Sequence, residues 1–169
     1  MTYITLFLLT ILCILFWLIV PFSIVGNLIG APYYPSTMKK VKKMIKLAGL
    51  KKGMLVADLG SGDGRIAVEA AKKGVTAHGI ELNPVLVLFS RFKFRKVKNL
   101  KFINKNMWDV DVSSYDRIFL FCLRKEMRKF ESKLRDEMKP GSLIISNIFK
   151  FNNWKPVKVE DNIYVYKVK

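Results

Sequence analysis

Hydropathy divides the chain in two. From Tyr3 to Val25 the residues are almost wholly apolar, broken only by Thr5, Thr10, Pro21 and Ser23, and no charged side chain occurs before Lys39. Such a run exceeds the ~20 residues that span a bilayer core. A cleaved signal peptide would carry a basic stretch in front of a shorter apolar core, and none precedes this run. The pattern therefore predicts one uncleaved transmembrane helix in residues 1–30, followed by a domain in 31–169. Lys39, Lys40, Lys42, Lys43 and Lys46 crowd the end of the run, which predicts a single-pass protein with its domain in the cytoplasm. Gly26 and Gly30 have the spacing of a helix-dimerising pair, but beside Pro32 and Pro35 they read as a loosened exit.

Past residue 31 the period changes. Ala31 to Thr37 holds two prolines and reads as a rigid joint. Ser36 or Thr37 can cap a helix that runs to about Ala48 and stops at Gly49. Short apolar runs then alternate with helical stretches: a strand at Met54–Ala57, a helix at 63–73, a strand at Thr76–Ile80 and a helix at 84–98. A short strand at Lys101–Asn104 and a buried strand at Asp116–Cys122 follow. A helix over 124–138, a strand at Ser142–Phe149 and a hairpin near 156–160 and 163–168 close the chain. Alternating strands and helices predict an α/β fold, a minimal Rossmann-like sheet, mostly parallel, with a C-terminal antiparallel hairpin. The connections after the third and fifth strands are too short for full helices, so the site should lie open.

The most informative stretch is Asp58-Leu59-Gly60-Ser61-Gly62-Asp63-Gly64-Arg65. A buried strand ends in an acid, glycines follow at alternate positions, and a helix begins. Glycines let bare backbone approach a ligand where a Cβ would clash, and a helix N-terminus offers N–H groups to an anionic group. A dinucleotide fingerprint wants glycine where Arg65 stands. The observed spacing resembles motif I of class I methyltransferases, which bind S-adenosylmethionine. That resemblance makes Asp58, Gly60, Ser61, Gly62, Asp63, Gly64 and Arg65 cofactor-site residues. Glu81 ends the second strand, roughly 20 residues past the turn, where an acid can take both ribose hydroxyls.

Composition adds a charge argument. The net charge is +17, all of it beyond residue 38, and implies an anionic partner: a lipid surface, nucleic acid or an acidic protein. Behind an anchor the economical partner is anionic lipid. Cys13 and Cys122 are too few for a disulfide framework, and with His78 they suggest no metal site.

Taken together, the segments resemble the small membrane-anchored lysine methyltransferases whose mitochondrial members modify the ATP synthase c subunit and the adenine nucleotide translocase. The matching pieces are Pro32-Tyr33-Tyr34-Pro35-Ser36-Thr37, the glycine turn, Glu81-Leu82-Asn83-Pro84, Ser90-Arg91, Met107-Trp108 and Phe149-x-Phe151-x-x-Trp154. The resemblance implies that Asn106, Met107 and Trp108 complete the cofactor site, with Asn106 standing where the family tends to have an acid. After the fourth strand the family often shows a Gly-Val-Pro-like turn, and here the residues are Cys122-Leu123-Arg124.

The resemblance implies methylation of lysine in a membrane protein with a cytoplasm-facing lysine, in the mitochondrial inner membrane if the source is eukaryotic. A lysine ammonium must lose its proton first, which an apolar pocket favours, and aromatic faces hold methylated ammonium. Tyr33, Tyr34 and Phe121 are the candidates at the catalytic position, with Phe149, Phe151 and Trp154 as further walls. Two alternatives stand: an RNA methyltransferase using the basic surface, and a non-catalytic cofactor-binding scaffold. No Asn/Asp-Pro-Pro-Tyr segment, typical of base-amine methylation, follows the fourth strand.

Overall fold

The computed structural model describes residues 3–14, 35–121 and 124–169, with backbone alone for 124–126. The chain divides into two units, Met1–Tyr33 and Tyr34–Lys169. In the first, residues 3–14 form a helix, α1, whose side chains are all exposed. At ~1.5 Å per residue its twelve residues cover about 18 Å, against the ~30 Å of a hydrocarbon core. Among the described residues no helix is long and apolar enough to cross a membrane. This overturns the expected transmembrane helix and the single-pass localisation built on it. Gly26, Gly30 and the joint up to Tyr34 lie outside the described residues.

The second unit is built on one seven-stranded sheet. In chain order it contains α2 (Met38–Ala48), β1 (Leu55–Leu59), α3 (Arg65–Ala71), β2 (Thr76–Glu81), α4 (Pro84–Lys93) and β3 (Leu100–Asn104). A single 3-10 turn at Met107–Asp109 leads to β4 (Arg117–Leu120), α5 (Arg124–Glu137), β5 (Leu143–Asn147), β6 (Lys158–Glu160) and β7 (Ile163–Lys167). The strand order is β3-β2-β1-β4-β5-β7-β6. The first five of these strands are parallel, and β7 runs antiparallel to both β5 and β6. The chain moves outward from β1 to β3 and then returns to pair β4 with β1. Ligands of open α/β sheets bind beyond the strands' carboxyl ends at such a reversal.

Local signals explain the elements. Thr37 caps α2 through its side chain, and Gly49 ends it in the left-handed conformation. Asn83 caps α4 by accepting from the backbone N–H groups of Val85 and Leu86, with Pro84 in the first turn, where its missing N–H costs nothing. α4 stops at Lys93, earlier than the periodicity suggests, with Phe94 as its C-cap. The central strands are buried on both faces, which is why they read as continuous apolar runs. On one face Val56, Phe119 and Ile145 pack under α2 and α3. On the other, Ala57, Leu59, Ile118 and Ile144 meet Met127, Phe130 and Leu134 of α5. A smaller cluster of Ala67, Val68, Val87 and Phe102 joins α3 and α4 to β3.

Candidate active site

β1 delivers Asp58 to the carboxyl edge of the sheet, 4% exposed. Immediately after it the chain turns on Gly60, Gly62 and Gly64, at φ +78°, +53° and +81°, values that L side chains adopt only with strain. The turn is held from beneath. The N–H groups of Gly60 and Ser61 both donate to the Ile80 carbonyl at 2.9 Å, and Gly64 N–H donates to Ser61 O at 2.8 Å. Glu81 clamps it from β2: one carboxylate oxygen accepts from Gly62 N–H at 2.9 Å and the other from Asn83 N–H at 2.8 Å. One carboxylate thus fixes the glycine turn and the entry to α4 together.

The glycines do different work. A Cβ on Gly64 would stand 2.4 Å from the Phe102 ring, and one on Gly79 would stand 2.6 Å from the same ring. Phe102 therefore occupies space that two glycines vacate. A Cβ on Gly60 would meet nothing within 4 Å, so that glycine borders open space in front of the turn.

Two buried polar atoms around the turn have no hydrogen-bond partner: Asp58 Oδ2 and Ser61 Oγ, the latter lying against Gly79 of β2. Burial, reinforced by the nearby Glu81 charge, pushes the Asp58 carboxyl up to about 7, against a hydrogen bond from the Ala67 backbone that lowers it. A buried carboxyl in that condition is completed by a cationic or hydrogen-bonding ligand. These orphaned atoms and the open cradle at Gly60 fit S-adenosylmethionine, which carries an ammonium, a sulfonium and ribose hydroxyls.

Arg65 turns back along the site. Its guanidinium makes a two-pronged pair with Asp63, at 2.8 and 2.7 Å, and donates to the Ser36 carbonyl at 2.6 Å. Ser36 Oγ in turn accepts from Asn147 Nδ2 at 2.9 Å. Segment 35–37 is thereby tied to the starts of α2 and α3 and to the end of β5. Next to Asn147 the backbone is strained: Ile148 has φ +70°, rare for a β-branched residue, while Phe149 N–H donates to Asn147 O at 2.9 Å. Such outliers persist where the surroundings hold them, often at functional sites. Neither Ser36's clasp nor the Ile148 turn is visible in the sequence. Gly79 was the one local signal for the Phe102 wedge, since glycine inside a strand marks a close approach.

The remaining candidates fall in three groups. Asn106 caps the 3-10 turn, its Oδ1 accepting from Trp108 N–H at 3.2 Å. Trp108 stacks on Phe130 of α5 at 3.9 Å, and Met107 packs against the main core. Phe121 follows β4, its ring 5.8 Å from that of Phe149, so these two rings meet at the carboxyl ends of β4 and β5. Phe151 and Trp154 cluster with Tyr166, at ring distances of 4.6 and 5.7 Å, and Phe151 N–H donates to the Tyr166 hydroxyl. Tyr33, Tyr34 and Cys122 lie outside the described residues.

Comparison with known proteins agrees with this geometry. Residues 58–158 match the family model described as ANTKMT methyltransferase domain. The Homo sapiens lysine N-methyltransferase named for the ATP synthase c subunit is 37% identical over 142 residues, covering 80% of this chain but only 60% of the human protein. A protein-lysine N-methyltransferase of Saccharolobus islandicus is 31% identical over 150 residues, covering 81% of this chain and 93% of that protein. Among solved structures, an RNA methyltransferase from Salinibacter ruber in complex with S-adenosyl-L-homocysteine superposes with a TM-score of 0.77. It is 26% identical and covers 80% of this chain and 94% of that one. Fold, glycine turn and sequence kinship agree: the chain belongs to the ANTKMT methyltransferase-domain family and has the class I methyltransferase fold.

Proposed function

We propose that this protein transfers the methyl group of S-adenosylmethionine to the ε-amine of a lysine in another protein. The observation that carries the reading is the orphaned, buried Asp58 carboxyl beside an open glycine cradle clamped by Glu81, in a chain akin to protein-lysine methyltransferases. The cofactor would supply an electrophilic methyl on a positively charged sulfur. Asp58 and Ser61 would hold its polar end, the Gly60–Gly64 backbone would admit it closely, and Glu81 would meet the ribose while keeping the turn in place.

The lysine must arrive neutral. With an ordinary value near 10.4, its deprotonation at pH 7 costs about 4–5 kcal/mol. The apolar surroundings of Phe121 and Phe149 lower that cost by disfavouring the ammonium. The neutral amine, held between these rings, would accept the methyl that the cofactor supplies, with its surplus proton released to solvent. No side chain is assigned as a base, because alignment alone supplies much of such an acceleration. By kinship with the human relative, named for a component of ATP synthase, the proposed substrate is a membrane-associated protein.

The net charge of +17 and the Salinibacter ruber neighbour, named as an RNA methyltransferase, favour RNA as the second reading. Methyl-tritiated cofactor offered with a membrane-protein fraction and with purified RNA separates them. Label in protein alone is expected, and label confined to RNA refutes the lysine reading.

A further inference from the structure

We propose that the outward face of α4, with the edge strand β3 beside it, is a docking surface for an anionic lipid bilayer. The contact is peripheral, a helix lying in the headgroup layer, and it does not rest on the methyl-transfer reading.

Three observations carry it. First, Val85, Leu88, Phe89 and Phe92 are 47%, 60%, 48% and 72% exposed. Their spacing of i, i+3, i+4 and i+7 puts them on one stripe of a helix with ~3.6 residues per turn. The buried residues of α4 are Val87 and Ser90, which fall on the opposite side of the same wheel. The apolar stripe therefore faces away from the core.

Second, the sequence from Leu82 to Trp108 contains no acid, while Arg91, Lys93, Arg95, Lys96, Lys98, Lys101 and Lys105 supply seven cations. Among the described residues none of the seven is in an ion pair. On the helix wheel Arg91 and Lys93 flank the stripe on its two sides. Lys93 lies 5.1 Å from the Phe89 ring and Arg95 4.6 Å from the Phe92 ring.

Third, a cleft of about 230 Å³ opens at the junction of α4 and β3. It is lined by Arg91, Arg95 and Lys101 together with Phe94, Leu100 and Phe102. Cations over an apolar floor suit a phosphate that carries an acyl chain. An apolar ridge between basic flanks, with a headgroup-sized cleft beside it, has the character of a helix that lies in the membrane interface. Charge complementarity selects anionic over neutral lipid. α4 begins three residues after Glu81, so a docked bilayer would lie within one helix length, ~15 Å, of the candidate site's rim.

The test is amide hydrogen exchange of the full-length protein with vesicles of phosphatidylcholine alone and of phosphatidylcholine mixed with phosphatidylglycerol. Exchange across residues 85–96 should slow roughly tenfold on the mixed vesicles, because docking suppresses local opening, and should recover in high salt. Phe89→Ser/Phe92→Ser should abolish that slowing while leaving exchange of the vesicle-free protein unchanged. A peptide-level readout isolates α4 from any contact made elsewhere in the chain. Unchanged exchange across 85–96 on the mixed vesicles overturns the proposal, whether or not the protein sediments with them. Equal slowing on neutral vesicles also overturns it, as does slowing by RNA with none by vesicles.

Discussion

Replacing Gly64 and Gly60 singly by alanine separates the two roles assigned to the glycine turn. At Gly64 the new Cβ would stand 2.4 and 2.5 Å from two carbons of the Phe102 ring and 3.4 Å from Ser90 Oγ. The ring has little room to retreat, because Gly79 already yields space to it on β2. A left-handed non-glycine residue costs about 1–2 kcal/mol and overpacking typically adds about 1–3, giving roughly 2–5 kcal/mol for Gly64→Ala. For a chain of this size that lowers the melting temperature by about 5–15 °C. At Gly60, with φ +78° and nothing within 4 Å, only the backbone cost applies, so Gly60→Ala should melt a few degrees lower at most. Its Cβ projects into the cradle, however, and should weaken S-adenosylhomocysteine at least tenfold. Calorimetric melting and titration of both variants provide the assay. Phe102→Leu in the Gly64→Ala background should restore part of the loss. If Gly64→Ala melts no lower than Gly60→Ala, the assignment of Phe102 as the wedge is refuted.

Three further outcomes follow from the same geometry. Glu81→Gln keeps one acceptor but turns an N–H₂ toward the second backbone N–H, so stability should drop by about 1–3 kcal/mol and cofactor affinity should fall with it. Calorimetry of the variant with and without S-adenosylhomocysteine checks both. Ser36→Ala removes the partner of Asn147 Nδ2, beside an Asn147 Oδ1 that already lacks one. Denaturant unfolding should show a loss of about 1–3 kcal/mol. Asp58 gives a pH signature: its carboxyl titrates near 3.8 when unfolded and at about 7 when folded. Between those values the native state holds a proton that the unfolded chain has lost, so stability without ligand should fall as pH rises from about 4 to about 7. The total is on the order of 4 kcal/mol, and stability should be level above that window. Cofactor affinity should rise across the same window, since a cationic ligand favours the carboxylate, and Asp58→Asn should flatten both curves.

Much of this was legible because the signals are local. β1, β4 and β5 are buried on both faces, so composition alone marks them, and the acid-glycine turn announces a ligand through backbone conformation. Glu81 was legible by its position at a strand end, although its grip on Gly62 N–H was not. Non-local ties escaped: Ser36 meets Asn147 across 111 residues of chain, and no periodicity encodes that meeting. The left-handed turn at Ile148 escaped because β-branched residues argue against it. Phe151 and Trp154 read as pocket walls or as core, with core the stronger reading for Phe151, and their cluster with Tyr166 is a non-local meeting that the sequence does not encode. The apolar N-terminal run satisfied a rule of length, yet its described helix covers only residues 3–14.

The central claim is that a lysine amine receives the methyl group, and identification of the methylated residue tests it most directly. After reaction with methyl-tritiated S-adenosylmethionine and a membrane-protein fraction, the labelled protein is hydrolysed to amino acids and separated against standards. Radioactivity eluting with methylated lysine, and lost in the Gly60→Ala enzyme, is the predicted result. Radioactivity eluting with methylated arginine or histidine, or found only in nucleosides, would contradict it.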